Sequence, residues 1–289
     1  MNSIKNILIT GANGQLGTEL KNVLTGNSDY NLFLTDVDSL DICDDEAVDR
    51  FVAENKIQLI LNCAAYTAVD KAEENQDLCL SINADGVETL GRAAAKHNAR
   101  IISISTDYVF YGNACTPYTE EQPTNPVSVY GKTKLEGEQR LFAVCPDAIV
   151  IRTAWLYSPY GKNFVKTMIE LGRSRSEINV VFDQVGSPTY ALDLAKAIAH
   201  IICAEWKPGI YHFSNEGAIS WYDFTMAIHR LAGITSCNVL PCRSSEFFTL
   251  ARRPAYSVFD KAKIKAAFSL TVPHWEQSLA HCINRILNN

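Results

Sequence analysis

Three glycines at three-residue intervals, Gly11, Gly14 and Gly17, follow the apolar run Ile7-Leu8-Ile9-Thr10 and open a helical pattern that begins at Leu16. Few arrangements satisfy a strand that turns on glycine directly into a helix. Gly11 lets the backbone reverse without a Cβ clash, and Gly14 leaves room for the main chain to approach a pyrophosphate. Gly17 lets the helix pack closely on the strand, while its N-terminal amides and dipole face an anion. The spacing departs from G-x-G-x-x-G, and a glycine-rich loop alone is often only a turn. The strand before it and the helix after it supply the context of a dinucleotide-binding unit. On this reading Gly11, Gly14, Gln15, Leu16 and Gly17 contact a nicotinamide cofactor, NADPH or NADH.

The rest of the first half alternates in the same way. Strands are expected at 4–10, 31–36, 59–62, 100–105 and 148–152, with helices at 16–24, 45–55, 87–96 and from a Ser128 cap to 140. Strands separated by crossovers of this length predict an α/β fold with a Rossmann-like, doubly wound parallel sheet. Beyond Trp155 the rhythm changes. Helices at 164–171, 192–203 and 221–231 and strands at 179–182 and 209–213 precede a proline-punctuated remainder of short pieces. The expected organisation is a dinucleotide-binding domain at 1–154 and a smaller, mainly substrate-binding C-terminal lobe at 155–289. Elements within 179–213 return to the first domain.

Two further positions carry chemistry. Asp36 ends the second strand nineteen residues after Gly17, where a carboxylate can accept both ribose hydroxyls and repel a 2′-phosphate; a solvated turn acid is the alternative. Tyr130 and Lys134 stand four apart on one expected helix, so both face the same way. A phenol beside an ammonium ionises more easily, and such a pair can pass a proton to a carbonyl oxygen as a nicotinamide delivers hydride to its carbon.

The glycine loop together with Tyr130 and Lys134 resembles the extended short-chain dehydrogenases/reductases and, more narrowly, the dTDP-4-dehydrorhamnose reductase family. The likeness spans nearly the whole chain. It runs through Asn62-Cys63-Ala64-Ala65-Tyr66-Thr67 and on to Glu73, Ser105-Thr106-Asp107-Tyr108-Val109-Phe110, and Val129-Tyr130-Gly131-Lys132-Thr133-Lys134. It continues through Arg152-Thr153-Ala154-Trp155 and Asp183-Gln184-Val185-Gly186-Ser187-Pro188-Thr189 to Arg253-Pro254. The resemblance implies reduction of a nucleotide-sugar C4 ketone, with Tyr130, Lys134 and Thr106 as catalytic residues. It implies that Asp41 and Ile42 lie beside the adenine, and that Ala65, Tyr66 and Thr67 lie on the nicotinamide side. Asp107 and Trp155 would meet the sugar, and Arg253 its diphosphate; a surface charge is the other reading of Arg253. Cys63 stands where alanine is common in the family. Some members hold magnesium at a homodimer interface. Glu19 matches one of their acids, but Leu192 stands where another is expected, so no metal is expected here.

Composition narrows the partners. A net charge of −6 gives no electrostatic reason to bind nucleic acid or an anionic membrane. The nine cysteines form no Cys-x-x-Cys pair and read as reduced thiols. With no apolar stretch of membrane-spanning length and an N-terminal run too short for a signal peptide, a cytoplasmic protein is expected, with a small nucleotide-sugar substrate and a homodimer as an option. Related 4,6-dehydratases carry Asp-Glu after the threonine, whereas Asp107-Tyr108 here lacks that second proton-transfer group, and 4-epimerases have longer C-terminal lobes. A non-catalytic, NADP-binding regulatory subunit is the rival from another class, and an intact Thr106, Tyr130 and Lys134 favours an enzyme.

Overall fold

A computed structural model describes residues 4–288; residues 1–3 and 289, at the ends of the two expected domains, lie outside the described residues. The first half runs β1 (Asn6–Thr10), α1 (Gln15–Leu24), β2 (Asn31–Thr35), α2 (Asp45–Glu54), β3 (Leu59–Asn62), α3 (Val69–Ala72) and α4 (Gln76–Leu80). A π-helical turn (Ser81–Asp85) then leads into α5 (Gly86–Lys96), β4 (Arg100–Thr106), α6 (Val129–Val144) and β5 (Ile149–Thr153). The second half comprises β6 (Leu156–Tyr157), α7 (Phe164–Ser174), β7 (Glu177–Val181), β8 (Val185–Gly186), β9 (Thr189–Tyr190) and α8 (Ala191–Cys203). It ends with β10 (Gly209–His212), β11 (Ile219–Ser220), α9 (Trp221–Leu231), β12 (Asn238–Cys242), α10 (Ala262–Phe268) and α11 (Trp275–Leu287).

Six strands form one parallel sheet in the order β2-β1-β3-β4-β5-β10. Its middle strands are rich in buried Ile, Leu and Val on both sides because both faces are covered, and their polar residues gather toward the carboxyl ends. In β1, Ile7 and Ile9 face one side, where they meet Leu16, Leu20 and Leu24 of α1 and Leu194, Ile198 and Ile201 of α8. Leu8 faces the other, among Val48 and Val52 of α2, Leu90 of α5 and Leu141 of α6. Each such fully buried aliphatic side chain contributes about 1.5–3 kcal/mol. From β1 the chain passes to β2 on one side, then crosses back through α2 to β3 on the other side of β1. That reversal opens a crevice at the carboxyl ends of the strands, where open α/β sheets take ligands.

Of the elements expected to return to the sheet layer, α8 and β10 do so, whereas β7, β8 and β9 pair outside it. A separate core joins α7, α9 and α11 around Phe224, Ile228 and Leu279. The thirteen-residue α11 is longer than the short pieces expected after Pro273. Its apolar residues Trp275, Leu279, Cys282 and Ile283 have helical spacing and bury against this lobe. Pro241 sits in β12, tolerated because that strand belongs to a two-stranded ribbon with β7.

Candidate active site

A cavity of about 770 Å³ occupies the crevice. It is walled by the residues that follow β1, β2 and β3, by the ends of β4 and β5, by the start of α6 and by loops of the second lobe.

The cofactor-side expectation is built from the glycine loop. Gly11 has φ +62, and a Cβ there would stand 2.7 Å from Ala64 N; at Gly17 it would stand 2.4 Å from Gly11 O. These two glycines are required by the protein's own backbone. Gly14 differs: its Cβ would meet only Gly11 O, at 3.2 Å, so what its absence keeps open is the cavity. Gly14 is also the N-cap of α1 and offers no side-chain cap, which leaves the first amides of that helix available to a phosphate. This cradle fits the pyrophosphate of a dinucleotide.

Gln15, Leu16, Asp36, Asp41 and Ile42 line the same end, and Ala65 and Thr67 the middle. The Asp36 carboxylate already accepts Asn13 N (3.1 Å) and Val37 N (2.9 Å), so it also shapes the loop it faces. Tyr66 is the exception among the expected contacts and does not line the cavity. Its ring packs by Ala72, Cys79 and Val129. Its backbone is clasped by the buried Asn83, which accepts from Tyr66 N (2.9 Å) and donates to Tyr66 O (3.2 Å). Asn83 sits in the π-helical turn, and neither Asn83 nor that turn has a signature at the level of hydrophobic periodicity.

Tyr130 and Lys134 stand on α6, capped by Ser128, whose hydroxyl accepts Gly131 N at 3.1 Å. Gly131 permits the helix to press on the end of β4, since a Cβ would lie 2.2 Å from Tyr108 O. That contact brings Tyr130 against Thr106 and Tyr108, whose ring centroid is 5.4 Å away. Lys134 Nζ donates to Ile104 O at 2.7 Å. Any easing of Tyr130 ionisation by Lys134 is outweighed by burial. Burial pushes the phenol up, with only partial opposition from the Thr106 hydroxyl, so it is a neutral acid at pH 7. Burial likewise pulls Lys134 down to about 8, against the charge of Glu138.

At the far end lie Asp107, Trp155 and Arg253. Asp107 is buried; its Oδ1 accepts the Thr106 hydroxyl (3.0 Å), while Oδ2 has no partner among the described residues. Burial raises its carboxyl to about 6. Trp155 has φ +49 and stacks its indole on Trp221, centroids 3.5 Å apart. Arg253 is not a lone cation, because Nη2 lies 2.6 Å from Asp70 Oδ2, and Asp70 Oδ1 also accepts Ala251 N. Trp221 adds to this wall, and Lys162, between Gly161 and Asn163 that pack on Gln15, lines the glycine-loop end. No motif pointed to them, since each arrives from a distant loop or helix start.

Glu19 lies apart from the cavity lining. It is fully buried, and its Oε1 is 2.7 Å from Arg285 Nη1 of α11. Among the described residues, no group of three or more His, Cys, Asp or Glu side chains converges on a cation site.

Comparison with known proteins places the chain in a family. The family model described as RmlD substrate binding domain matches residues 5–288. A dTDP-4-dehydrorhamnose reductase from Aggregatibacter actinomycetemcomitans is 41% identical, covering 94% of this chain and 96% of its own. The crystal structure of a Clostridium acetobutylicum dTDP-4-dehydrorhamnose reductase superposes with TM-score 0.94 at 46% identity, covering 98% and 99% of the two chains. That of the Bacillus anthracis dTDP-4-dehydrorhamnose reductase in complex with NADP gives TM-score 0.94 at 40% identity over 98% and 99%. With a glycine cradle, a tyrosine–lysine helix and end-to-end similarity all in one chain, this protein belongs to the RmlD family of dTDP-4-dehydrorhamnose reductases.

Proposed function

We propose that this protein is an NAD(P)H-dependent oxidoreductase that reduces the C4 ketone of dTDP-4-dehydro-β-L-rhamnose to dTDP-L-rhamnose, a step of nucleotide-sugar and cell-surface polysaccharide biosynthesis. The observation that carries the reading is one cavity shared by the Gly11, Gly14 and Gly17 cradle and by Tyr130, Lys134 and Thr106. The cofactor rests on that cradle, with Asp36, Asp41 and Ile42 around its adenosine and Ala65, Thr67 and Lys134 around its nicotinamide ribose. When bound, the reduced nicotinamide supplies hydride. Tyr130, neutral at pH 7, gives its proton to the ketone oxygen, which the Thr106 hydroxyl orients. Lys134 contributes positive charge beside the phenolate that this transfer leaves. The free Oδ2 of Asp107 accepts a sugar hydroxyl, the Trp155 indole covers the sugar ring, and Arg253 meets the diphosphate.

We place the reaction in the cytoplasm, where nine free thiols stay reduced. Among the described residues no helix is long and apolar enough to cross a membrane. The test is loss of reduced-nicotinamide absorbance with dTDP-4-dehydrorhamnose generated in situ, the product being identified by NMR. Formation of dTDP-L-rhamnose supports the reading. A folded protein that binds cofactor and leaves the keto sugar unchanged rejects it.

A further inference from the structure

Behind Lys134 lies a charged cluster that the chemistry above does not use. Tyr130, Lys134 and Glu138 succeed one another at four-residue intervals on α6, and the Lys134 and Glu138 side chains are each only 4% exposed. A carboxylate at that depth has to be paired. Arg152 of β5 pairs it, with Nη2 2.6 Å from Oε2 and Nε 3.0 Å from Oε1. The Ser105 hydroxyl of β4 donates to the same Oε1. Arg152 is itself buried, its guanidinium carbon 5.1 Å from the centroid of the Phe110 ring. Its neighbour on β10, His212, is held neutral, its pKa brought down to about 3 by burial and by the Arg152 charge.

Buried ion pairs add little net stability compared with apolar residues of the same volume. A reason for this one lies in what surrounds Lys134. Cys63 from the loop after β3 and Cys79 from α4 face it, and burial keeps both thiols neutral, Cys63 rising to about 12. On its own helix Tyr130 is a neutral phenol, and Asp107 at the end of β4 bears on Tyr130. Glu138, one helical turn on from Lys134 and as deeply buried, is the negative charge on that helix face that opposes the cost of burying the ammonium.

We propose that Glu138, clamped by Arg152 and Ser105, is a positioning residue that supplies the buried negative charge holding Lys134 as an ammonium at the cavity wall. The inference rests on the reading of Tyr130 and Lys134 as the reacting pair. Through it, the alkaline limit of turnover belongs to α6 and β5 together and not to Tyr130 alone.

The experiment is an NMR titration of the cofactor-free protein carrying ¹³C-labelled lysine, with the Lys134 signal assigned by its loss in Lys134→Met. The wild-type midpoint should lie near 8. In Glu138→Gln, which keeps the shape and one acceptor, it should fall by about one pH unit or more. The alkaline limb of kcat should move down with it. Should the orphaned Arg152 prevent Glu138→Gln from folding, the double variant Glu138→Leu, Arg152→Met removes both charges and should show a smaller fall in the same direction, because the Arg152 cation no longer adds repulsion. An unmoved Lys134 midpoint in either folded variant overturns the proposal, even where kcat is lower, because a merely structural role would reduce kcat without a shift. A midpoint that falls while the kcat limb stays fixed upholds the coupling and rejects the assigned role of Lys134.

Discussion

Asp107→Asn separates what a buried carboxylate costs the fold from what it does for the reaction. The side chain is only 2% exposed, Oδ1 accepts from Thr106, and Oδ2 has no partner. Burial raises the carboxyl from 3.8 to about 6. With the folded pKa above the unfolded one, the stability that the neutral acid contributes is complete below about 3.8 and is lost as pH rises through about 6. A shift of about two units corresponds to about 3 kcal/mol. Asparagine keeps the acceptor facing Thr106 and never ionises, so its unpartnered amide costs the same at every pH. The Tm of Asp107→Asn relative to wild type should therefore climb between about pH 4 and about pH 8. At about 2 °C per kcal/mol for a chain of this length, the climb is about 6 °C. Differential scanning calorimetry of both proteins across that range is the assay. A Tm difference that stays constant with pH would show that Asp107 is not held in its neutral form by burial. The same variant should lose about 10–100-fold in kcat/KM, because the charged acceptor for a sugar hydroxyl is gone.

Gly17→Ala drives a Cβ to 2.4 Å from Gly11 O, so the loop must shift; cofactor affinity by fluorescence titration should fall at least about tenfold, one decade being about 1.4 kcal/mol. Asp36→Asn keeps an acceptor for a loop amide but removes the charge at the adenosine end. It should raise the affinity for NADPH relative to NADH about five- to tenfold, measured as the ratio of the two Kd values.

What could be read from the sequence was local. The strand–glycine–helix of β1 and α1, the Ser128 cap and the shared face of Tyr130 and Lys134 each depend on residues within one helical turn of one another. The structure brings nearly all of the expected positions into one cavity. Three features escaped because they depend on distant partners or on depth. Arg253 reads as a free cation until the fold brings Asp70 to it across 183 positions of sequence. Trp155 is expected by resemblance against the sugar, but nothing local shows that a left-handed backbone turn lays it on Trp221 at the start of α9. Pairing Tyr130 with Lys134 suggests a phenol that ionises readily, but burial dominates both groups and has no sequence signature. Tyr66, placed by resemblance on the nicotinamide side, has its ring against Ala72, Cys79 and Val129 and does not line the cavity. The helix α11 was obscured by the prolines before it.

The step on which the proposed mechanism turns is delivery of a proton from the Tyr130 hydroxyl to the ketone. Its most direct measurement is single-turnover oxidation of NADPH by Tyr130→Phe, with the Kd for NADPH determined in parallel. A rate about 10²–10⁴-fold below wild type is expected, with cofactor affinity and Tm essentially unchanged. A folded Tyr130→Phe protein that turns over within a few-fold of wild type would contradict it.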